Sequence, residues 1–356
     1  MSGTIRAAII GAGAIAKQHL AALAQLDYVA VVGLCDLSPI LAEATADRFG
    51  VPAWFSDYRD LLVETCPDVV HIVTPAPTHF AIARDSLESG AHVFIEKPIT
   101  SDVEELEELF EIAAANRRWV LEDHNYEFNS GIQRMLARLR SGDVGQIRHV
   151  SVQLNLAIFG PGNRYADPDL PHPAKQVPLG PASDFLTHLC YLAYIFIGPH
   201  RTAHAVRINN SLDGDLDSDI LQVLVAGRHA TATLGFSANS QPDSFVVRVD
   251  GTRMQMEANL FEVGVVENRV LGGPKPLQPI RNALARSWAE RRNARASLRR
   301  KLGGGPGAYE GLWESVRQIY LRLDEHAPPP ISMQQIREVN RLVHAVNEEV
   351  ASSCAC

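Results

Sequence analysis

Ile5-Arg6-Ala7-Ala8-Ile9-Ile10-Gly11-Ala12-Gly13-Ala14-Ile15-Ala16 decides the fold. The apolar run 5–10 reads as a short buried strand broken by two glycines, and residues 14–26 then carry apolar side chains at helical spacing. The glycines fit G-x-G-x-x-G/A, with Ala16 in the last place. In that pattern the first glycine permits a tight turn, and the second lets backbone approach a pyrophosphate. The small third residue lets helix pack on strand, and the helix N-terminus offers N–H donors to phosphate. Gly11, Gly13, Ala14 and Ile15 are therefore cofactor-binding candidates. Asp36 ends the next strand-like run, 29–35, and lies 25 residues past Gly11. A carboxylate there accepts the ribose hydroxyls of an adenosine and repels a 2′-phosphate, which predicts NAD in preference to NADP. The competing reading of Asp36 is a turn acid beside Ser38-Pro39.

Outward from this stretch, strands and helices alternate. Helix 39–49, strand 69–73, helix 78–88, strand 92–95, a helix from Ser101 to Asn116 with Glu104 completing a capping box, and strand 119–121 predict a parallel sheet with right-handed crossovers. The expected dinucleotide-binding domain is 1–123. From residue 124 the pattern changes. One helix (132–140) and one long strand (147–158) precede a Pro- and Gly-rich loop (160–181) and a helix (183–197). Strand-like runs then follow closely at 203–208, 220–225, 230–236, 244–249 and 253–257, and helices 309–323 and 333–350 end the chain. This predicts an α+β domain, 124–356, with a large and mostly antiparallel open sheet. The fold class is thus α/β: a Rossmann domain followed by a substrate-binding and oligomerisation domain.

The composition agrees. The 356 residues suit two domains, and 33 basic against 41 acidic residues give a net charge of −8, which disfavours nucleic acid and anionic membranes as partners. The longest apolar run, 189–197, is far short of a spanning helix. No signal peptide is visible, and the five cysteines form no disulfide framework, so a reduced, cytoplasmic protein is expected. Cys354 and Cys356 read as a terminal tail, with a metal hook as the alternative. No metal-ligand spacing and no nucleophile elbow is present. One segment stands out. Residues 281–301 hold eight basic side chains against one acid, a net +7 that leaves −15 on the rest of the chain. It reads either as a solvated helix or as an arm that holds a phosphate.

At Thr74-Pro75-Ala76-Pro77-Thr78-His79, and again at Ser86 through Glu96-Lys97-Pro98, the sequence resembles the Gfo/Idh/MocA oxidoreductases. The resemblance extends to the Gly11 turn, to Asn125 and Phe128, and to Ser141-Gly142-Asp143-Val144-Gly145. It implies that Thr74, Pro75, His79, Glu96 and Lys97 border the cofactor and that Lys97 is catalytic. A second family element appears as Gly180-Pro181-Ala182-Ser183-Asp184-Phe185-Leu186-Thr187-His188, with Leu186 and Pro181 replacing usual glycines. It implies catalytic roles for Asp184 and His188, which at i and i+4 share a helix face. Glu127 stands where the family usually has arginine. The resemblance also implies a sugar or polyol substrate.

The residue types suit hydride transfer from a secondary alcohol. His188 takes the hydroxyl proton, the Lys97 ammonium stabilises the developing alkoxide, and Asp184 orients His188 or a substrate hydroxyl. Asn125, Arg164, Tyr165 and Lys175 join Lys97, Asp184 and His188 as substrate-binding candidates, with Asn163, His172 and His124 as further polar positions. An enzyme acting on a nucleotide-linked sugar and a non-catalytic dinucleotide sensor are the alternatives. A homodimer or homotetramer is expected through the open sheet, on the strength of Val223, Val225, Phe245 and Val247.

Overall fold

β1 (Ile5–Ile10), β2 (Val29–Cys35), β3 (Trp54–Phe55), β4 (Val69–Ile72), β5 (His92–Ile95) and β6 (Val120–Glu122) form a parallel sheet in the order β3-β2-β1-β4-β5-β6. The structure, a computed structural model, describes residues 3–100, 102–158, 179–208, 220–270, 274–303 and 306–353. Strand order reverses on either side of β1, which is where an open α/β sheet leaves a crevice at its carboxyl ends. The helices between strands are α1 (Ala16–Leu23), α2 (Pro39–Phe49), α3 (Tyr58–Thr65), α4 (His79–Glu88) and α5 (Val103–Asn116). The sheet is apolar because it is covered on both faces: Ala7, Ala8, Ile9, Val70, Ile72, Val93, Phe94 and Ile95 are all fully buried.

Two local expectations change. β3 and α3 carry no periodicity strong enough to read, yet α3 forms because Asp57 caps it by accepting the Arg59 N–H at 2.8 Å. α5 is capped by Asp102, which accepts from the N–H groups of Glu104 and Glu105, so the helix begins one residue after it. Ser101 lies outside the described residues.

The chain divides into two compact units, 1–125 with 311–337, and 126–310 with 338–356. The sequence reading assigns everything after 123 to one domain; the difference is the return of 311–337 to the first unit. Its cause is visible in α9 (Glu310–Asp324), which buries Leu312, Val316, Ile319 and Tyr320, and whose Tyr320 hydroxyl meets His71 of β4 at 2.8 Å. Arg337 adds a bidentate pair to Glu107 of α5, at 2.6 and 2.7 Å.

The second unit is built on β7 (Ile147–Asn155), β8 (Thr202–Ile208), β9 (Ile220–Ala226), β10 (Thr231–Ser237), β11 (Ser244–Gly251), β12 (Met254–Asn259) and β13 (Val266–Arg269), in the order β13-β12-β11-β7-β10-β9-β8. Only β7 and β10 pair in parallel; every other neighbour is antiparallel. α6 (Ser130–Arg140) precedes this sheet, and α7 (Pro181–Ile197) packs on β7 and β10, with α10 (Met333–Ser353) adding Val339, Leu342, Val346 and Val350 to the same core.

Val223, Val225, Phe245 and Val247 do not line the open face. All four are buried in that core, because residues two apart on a strand share a side. The opposite side carries Ser151, Gln153, Gln222, Thr233 and Arg248, with Leu224 and Val206 exposed.

The basic segment is a helix, α8 (Gln278–Leu302), none of whose side chains is buried. It touches the body through small and polar residues: Ser297 Oγ accepts the Val263 N–H at 3.0 Å, and Asn293 sits against Gly264.

The two glycines of the opening turn differ in what they tolerate. Gly11 has φ +104°, and a Cβ there would stand 2.7 Å from the Val73 carbonyl oxygen. A Cβ on Gly13 meets nothing within 4 Å. Gly11→Ala should therefore lower unfolding free energy by about 1–3 kcal/mol. Gly13→Ala should stay within about 0.5 kcal/mol of the parent while weakening dinucleotide binding. Urea unfolding and dinucleotide titration of both variants check this.

Candidate active site

The turn after β1 is held from below. The Gly11 N–H donates to the Cys35 carbonyl at 2.7 Å, and the Ala12 N–H donates to Asp36 Oδ2 at 2.8 Å. Asp36 Oδ1 accepts the Ser38 N–H at 2.9 Å. Asp36 thus acts as a turn acid as well as standing where a ribose would bind. Gly13 and Ala14 are exposed, Ile15 is half-buried, and no side chain caps the N-terminus of α1. Backbone donors, an open glycine and the Asp36 carboxylate meet on one surface, and Leu37 and Ile40 beside them are 91% and 81% exposed. This set fits a dinucleotide: phosphate on the helix end, ribose on the acid, and an apolar rim for the base.

Thr74 and Pro75 form the turn after β4. Thr78 Oγ1 donates to Thr74 Oγ1 at 2.7 Å, and Pro75 is exposed. His79 is buried, its ring nitrogens lying 2.7 Å from the Thr74 carbonyl and 3.0 Å from the Pro98 carbonyl. It ties the turn after β4 to the turn after β5, a structural duty rather than a surface one. Glu96 and Lys97 follow β5, Glu96 buried and Lys97 half-buried.

Beneath them lies a polar cluster that the sequence reading missed. His19 Nε2 is 3.2 Å from Glu96 Oε1, His19 Nδ1 is 2.8 Å from His71 Nδ1, and His71 Nε2 is 2.8 Å from the Tyr320 hydroxyl. Asp123 is also buried there. Glu122 accepts the Ile99 N–H at 3.0 Å and pairs with His124 at 2.9 Å, so His124 is a buried partner and not an exposed polar position. Burial, with His19 beside it, pushes His71 well below the usual imidazole range. Burial, with Glu96 and Glu122 outweighing Lys97, pushes Asp123 well above the usual carboxylate range. Burial alone would raise Glu96 too, but the hydrogen bond and charge of His19, together with Lys97, hold it below the usual range. A sequence signal existed for His19 alone, three residues past Ala16 on the buried face of α1.

In the second unit, Asp184 lies in the first turn of α7 and His188 one turn on. His188 is buried, with Nδ1 at 2.9 Å from the Tyr191 hydroxyl, which also accepts the Tyr126 N–H at 3.1 Å. Tyr126 stands edge-on to the imidazole, its ring centre 5.1 Å away. Tyr191, three residues on, was not foreseen. Leu186, in the place of a usual family glycine, fills the core. Asn125 opens a short 3-10 turn, half-buried. Asn163, Arg164, Tyr165, His172 and Lys175 lie outside the described residues.

Residues 5–124 match the Gfo/Idh/MocA family model, described as an oxidoreductase family with an NAD-binding Rossmann fold. Among curated relatives, glycosyl hydrolase family 109 protein 2 of Akkermansia muciniphila is 33% identical over 156 residues, 41% of this chain and 33% of that protein. D-glucoside 3-dehydrogenase of Escherichia coli is 29% identical over 147 residues, 41% of this chain and 42% of that one. The match thus spans well under half the length of either relative. Among solved structures, levoglucosan dehydrogenase in complex with NADH and levoglucosan superposes with a TM-score of 0.77 at 19% identity, covering 98% of this chain and 97% of that one. The WlbA dehydrogenase of Bordetella pertussis, in complex with NADH and UDP-GlcNAcA, gives 0.76 at 16% identity, covering 99% and 97%. These likenesses show the two-part fold over the whole chain, and the match to the Gfo/Idh/MocA oxidoreductase family covers residues 5–124, the part that carries the dinucleotide-binding motifs.

Proposed function

We propose that the chain is an NAD-dependent oxidoreductase that moves a hydride between nicotinamide and a CH–OH group of a sugar or polyol. The observation that carries this reading is the open Gly13 turn, with its uncapped helix end and the Asp36 carboxylate, at the point where strand order reverses. The names of the relatives, a glucoside 3-dehydrogenase and a levoglucosan dehydrogenase, support the substrate class.

Gly11, Gly13, Ala14, Ile15 and Asp36 would hold the adenosine and pyrophosphate, and Thr74, Pro75 and Glu96 the nicotinamide end. Bound there, the nicotinamide supplies the hydride acceptor or donor. The chain supplies charge and proton chemistry. Lys97 stabilises negative charge on the substrate oxygen. His188 takes or gives the hydroxyl proton, its ring oriented through Nδ1 by Tyr191. Asp184 orients a substrate hydroxyl. Asn125 completes the polar contacts, with Arg164, Tyr165 and Lys175 proposed on sequence alone. Assembly as a homodimer or homotetramer through the open sheet face belongs to the same reading, resting on Leu224 and Val206.

A second reading, a nucleotide-linked sugar as substrate, is favoured by one feature. Trp288, Arg291, Arg292, Ala296, Arg295 and Arg299 line a groove of about 410 Å³ on α8. Guanidinium groups bind diphosphate bidentately, and an indole stacks on a base.

Three measurements test these readings. Lys97→Ala should lower kcat by on the order of 100-fold in a nicotinamide absorbance assay against a panel of sugars and polyols, with dinucleotide affinity changed far less. Turnover within about threefold of the parent, under roughly 1 kcal/mol of barrier, removes Lys97 from the mechanism. Asp36→Ala should narrow the preference for NAD over NADP, because it relieves an unpaired repulsion against the 2′-phosphate; affinities for both dinucleotides decide it. Replacing Arg291, Arg292 and Arg295 by glutamate should raise KM for a nucleotide-linked sugar while free-sugar kinetics stay put. Unchanged kinetics on both substrates reduce α8 to a solvated helix.

A further inference from the structure

α8 turns an apolar stripe toward solvent. Ile280, Leu284, Trp288, Leu298 and Leu302 are 58–80% exposed. At 3.6 residues per turn, these five side chains fall within an arc of about 80°. The residues that meet the body lie on the other side of the helix. Gln278 Nε2 donates to the Arg269 carbonyl at 2.8 Å, Ser297 Oγ accepts the Val263 N–H at 3.0 Å, and Asn293 sits against Gly264. An ordinary surface helix packs its apolar face on the core. Here the contacts to β13 and to the turn before it fix the reverse orientation, so the stripe is held outward.

Cations occupy and edge the stripe. Arg291 and Arg295 stand within its arc, between Trp288 and Leu298, while Arg292 and Arg299 run along one side, and all four are exposed. Such a face calls for a surface that is apolar along its middle and anionic around it. Two faces of a second copy do not meet that need. Another α8 laid on this one would set a +7 segment against a +7 segment. α5 offers an exposed acidic row, Glu104, Glu108 and Glu111, but none of the exposed large apolar residues lies on it, so nothing there covers Trp288 and the leucines. An anionic lipid surface supplies both parts. The boundary of the acyl chains takes the indole and the aliphatic side chains, and the headgroup phosphates take the guanidinium groups, whose stems lie along the apolar layer.

We propose that α8 is an interfacial helix that lies flat on an anionic lipid surface, its apolar stripe at the acyl boundary and Arg291, Arg292, Arg295 and Arg299 on the phosphates. Its contact is peripheral: among the described residues no helix is long and apolar enough to cross a membrane. The net charge of −8 disfavours such a surface only as an average over the chain. Screening within about 10 Å at 0.1 M salt leaves the local +7 of residues 281–301 to set the contact. The proposal does not rest on the dehydrogenase reading. A soluble diphosphate in the Trp288 groove would use the same arginines, and is the rival that the experiment separates.

The test is flotation of the whole chain with vesicles, a readout that needs no turnover. The parent should float with vesicles of phosphatidylcholine mixed with phosphatidylglycerol and not with phosphatidylcholine alone. Replacing Arg291, Arg292 and Arg295 by glutamine should weaken that binding on the order of 100-fold, about fivefold for each cation. Leu284→Ser combined with Trp288→Ser should weaken it by at least about tenfold, through lost apolar burial. Trp288→Phe should still float, but without the blue shift of tryptophan emission that the parent shows on anionic vesicles. All these side chains point outward, so each variant should melt with the parent, which separates lost binding from lost folding. A parent that does not float overturns the proposal, whether or not inorganic diphosphate binds the groove. So does flotation that the Leu284 and Trp288 replacements leave intact, since the contact is then one of charge alone. A parent dimer that the same replacements split, with no flotation, assigns the stripe to a second copy and also overturns it.

Discussion

Three acidic side chains, Glu96, Glu122 and Asp123, are buried at the carboxyl ends of β5 and β6, and the first unit is arranged around the need to satisfy them. An unpaired carboxylate in an apolar interior is prohibitively costly, so each must find donors or keep its proton. Glu122 spends its oxygens on the Ile99 N–H and on His124, which steadies the turn that carries Lys97. Glu96 takes His19, while burial and the two neighbouring glutamates push Asp123 well above the usual carboxylate range. The need reaches as far as residue 320. Without the Tyr320 hydroxyl, His71 would have an imidazole nitrogen buried without its observed partner. That contact is one physical reason for 311–337 to rejoin the first unit, alongside the apolar face of α9 and the Arg337–Glu107 pair.

How much of this was legible depended on how far apart the partners lie. The Gly11 turn, most of the alternation of elements and six of the seven strands of the second sheet rest on local periodicity and could be read from the sequence, whereas the short β13 could not. Asp36, Lys97, Asp184 and His188 could be nominated as candidates because they sit in compact motifs. His19 and Glu96 are 77 residues apart and His71 and Tyr320 are 249 apart, and no local pattern joins such partners. His71 even interrupts an apolar strand, where it reads as a blemish until its two partners are known. Val223, Val225, Phe245 and Val247 show the opposite failure. Their apolar character was plain, but alternation alone does not say which side of a sheet α7 will cover.

α8 inverts the usual logic of an amphipathic helix. Its half-buried side holds Asn282, Ala289, Asn293, Ala296 and Ser297, while Leu284, Trp288 and Leu298 point outward at 59%, 71% and 59% exposure. Apolar burial therefore contributes little to holding it; its polar contacts include the Ser297 bond, the Gln278 amide bond to the Arg269 carbonyl at 2.8 Å and the Arg300–Glu310 pair at 2.6 Å. Eight cations on one helix repel one another, by an amount that salt reduces. Arg300 is paired with Glu310. The remaining chain carries a charge of −15. Such a helix draws anions to itself rather than to the body, and its field decays within about 10 Å at 0.1 M salt. The Trp288 groove can thus favour an anionic ligand only at close range, which makes contact with the guanidinium groups, and not long-range steering, the physical basis of any selectivity it confers.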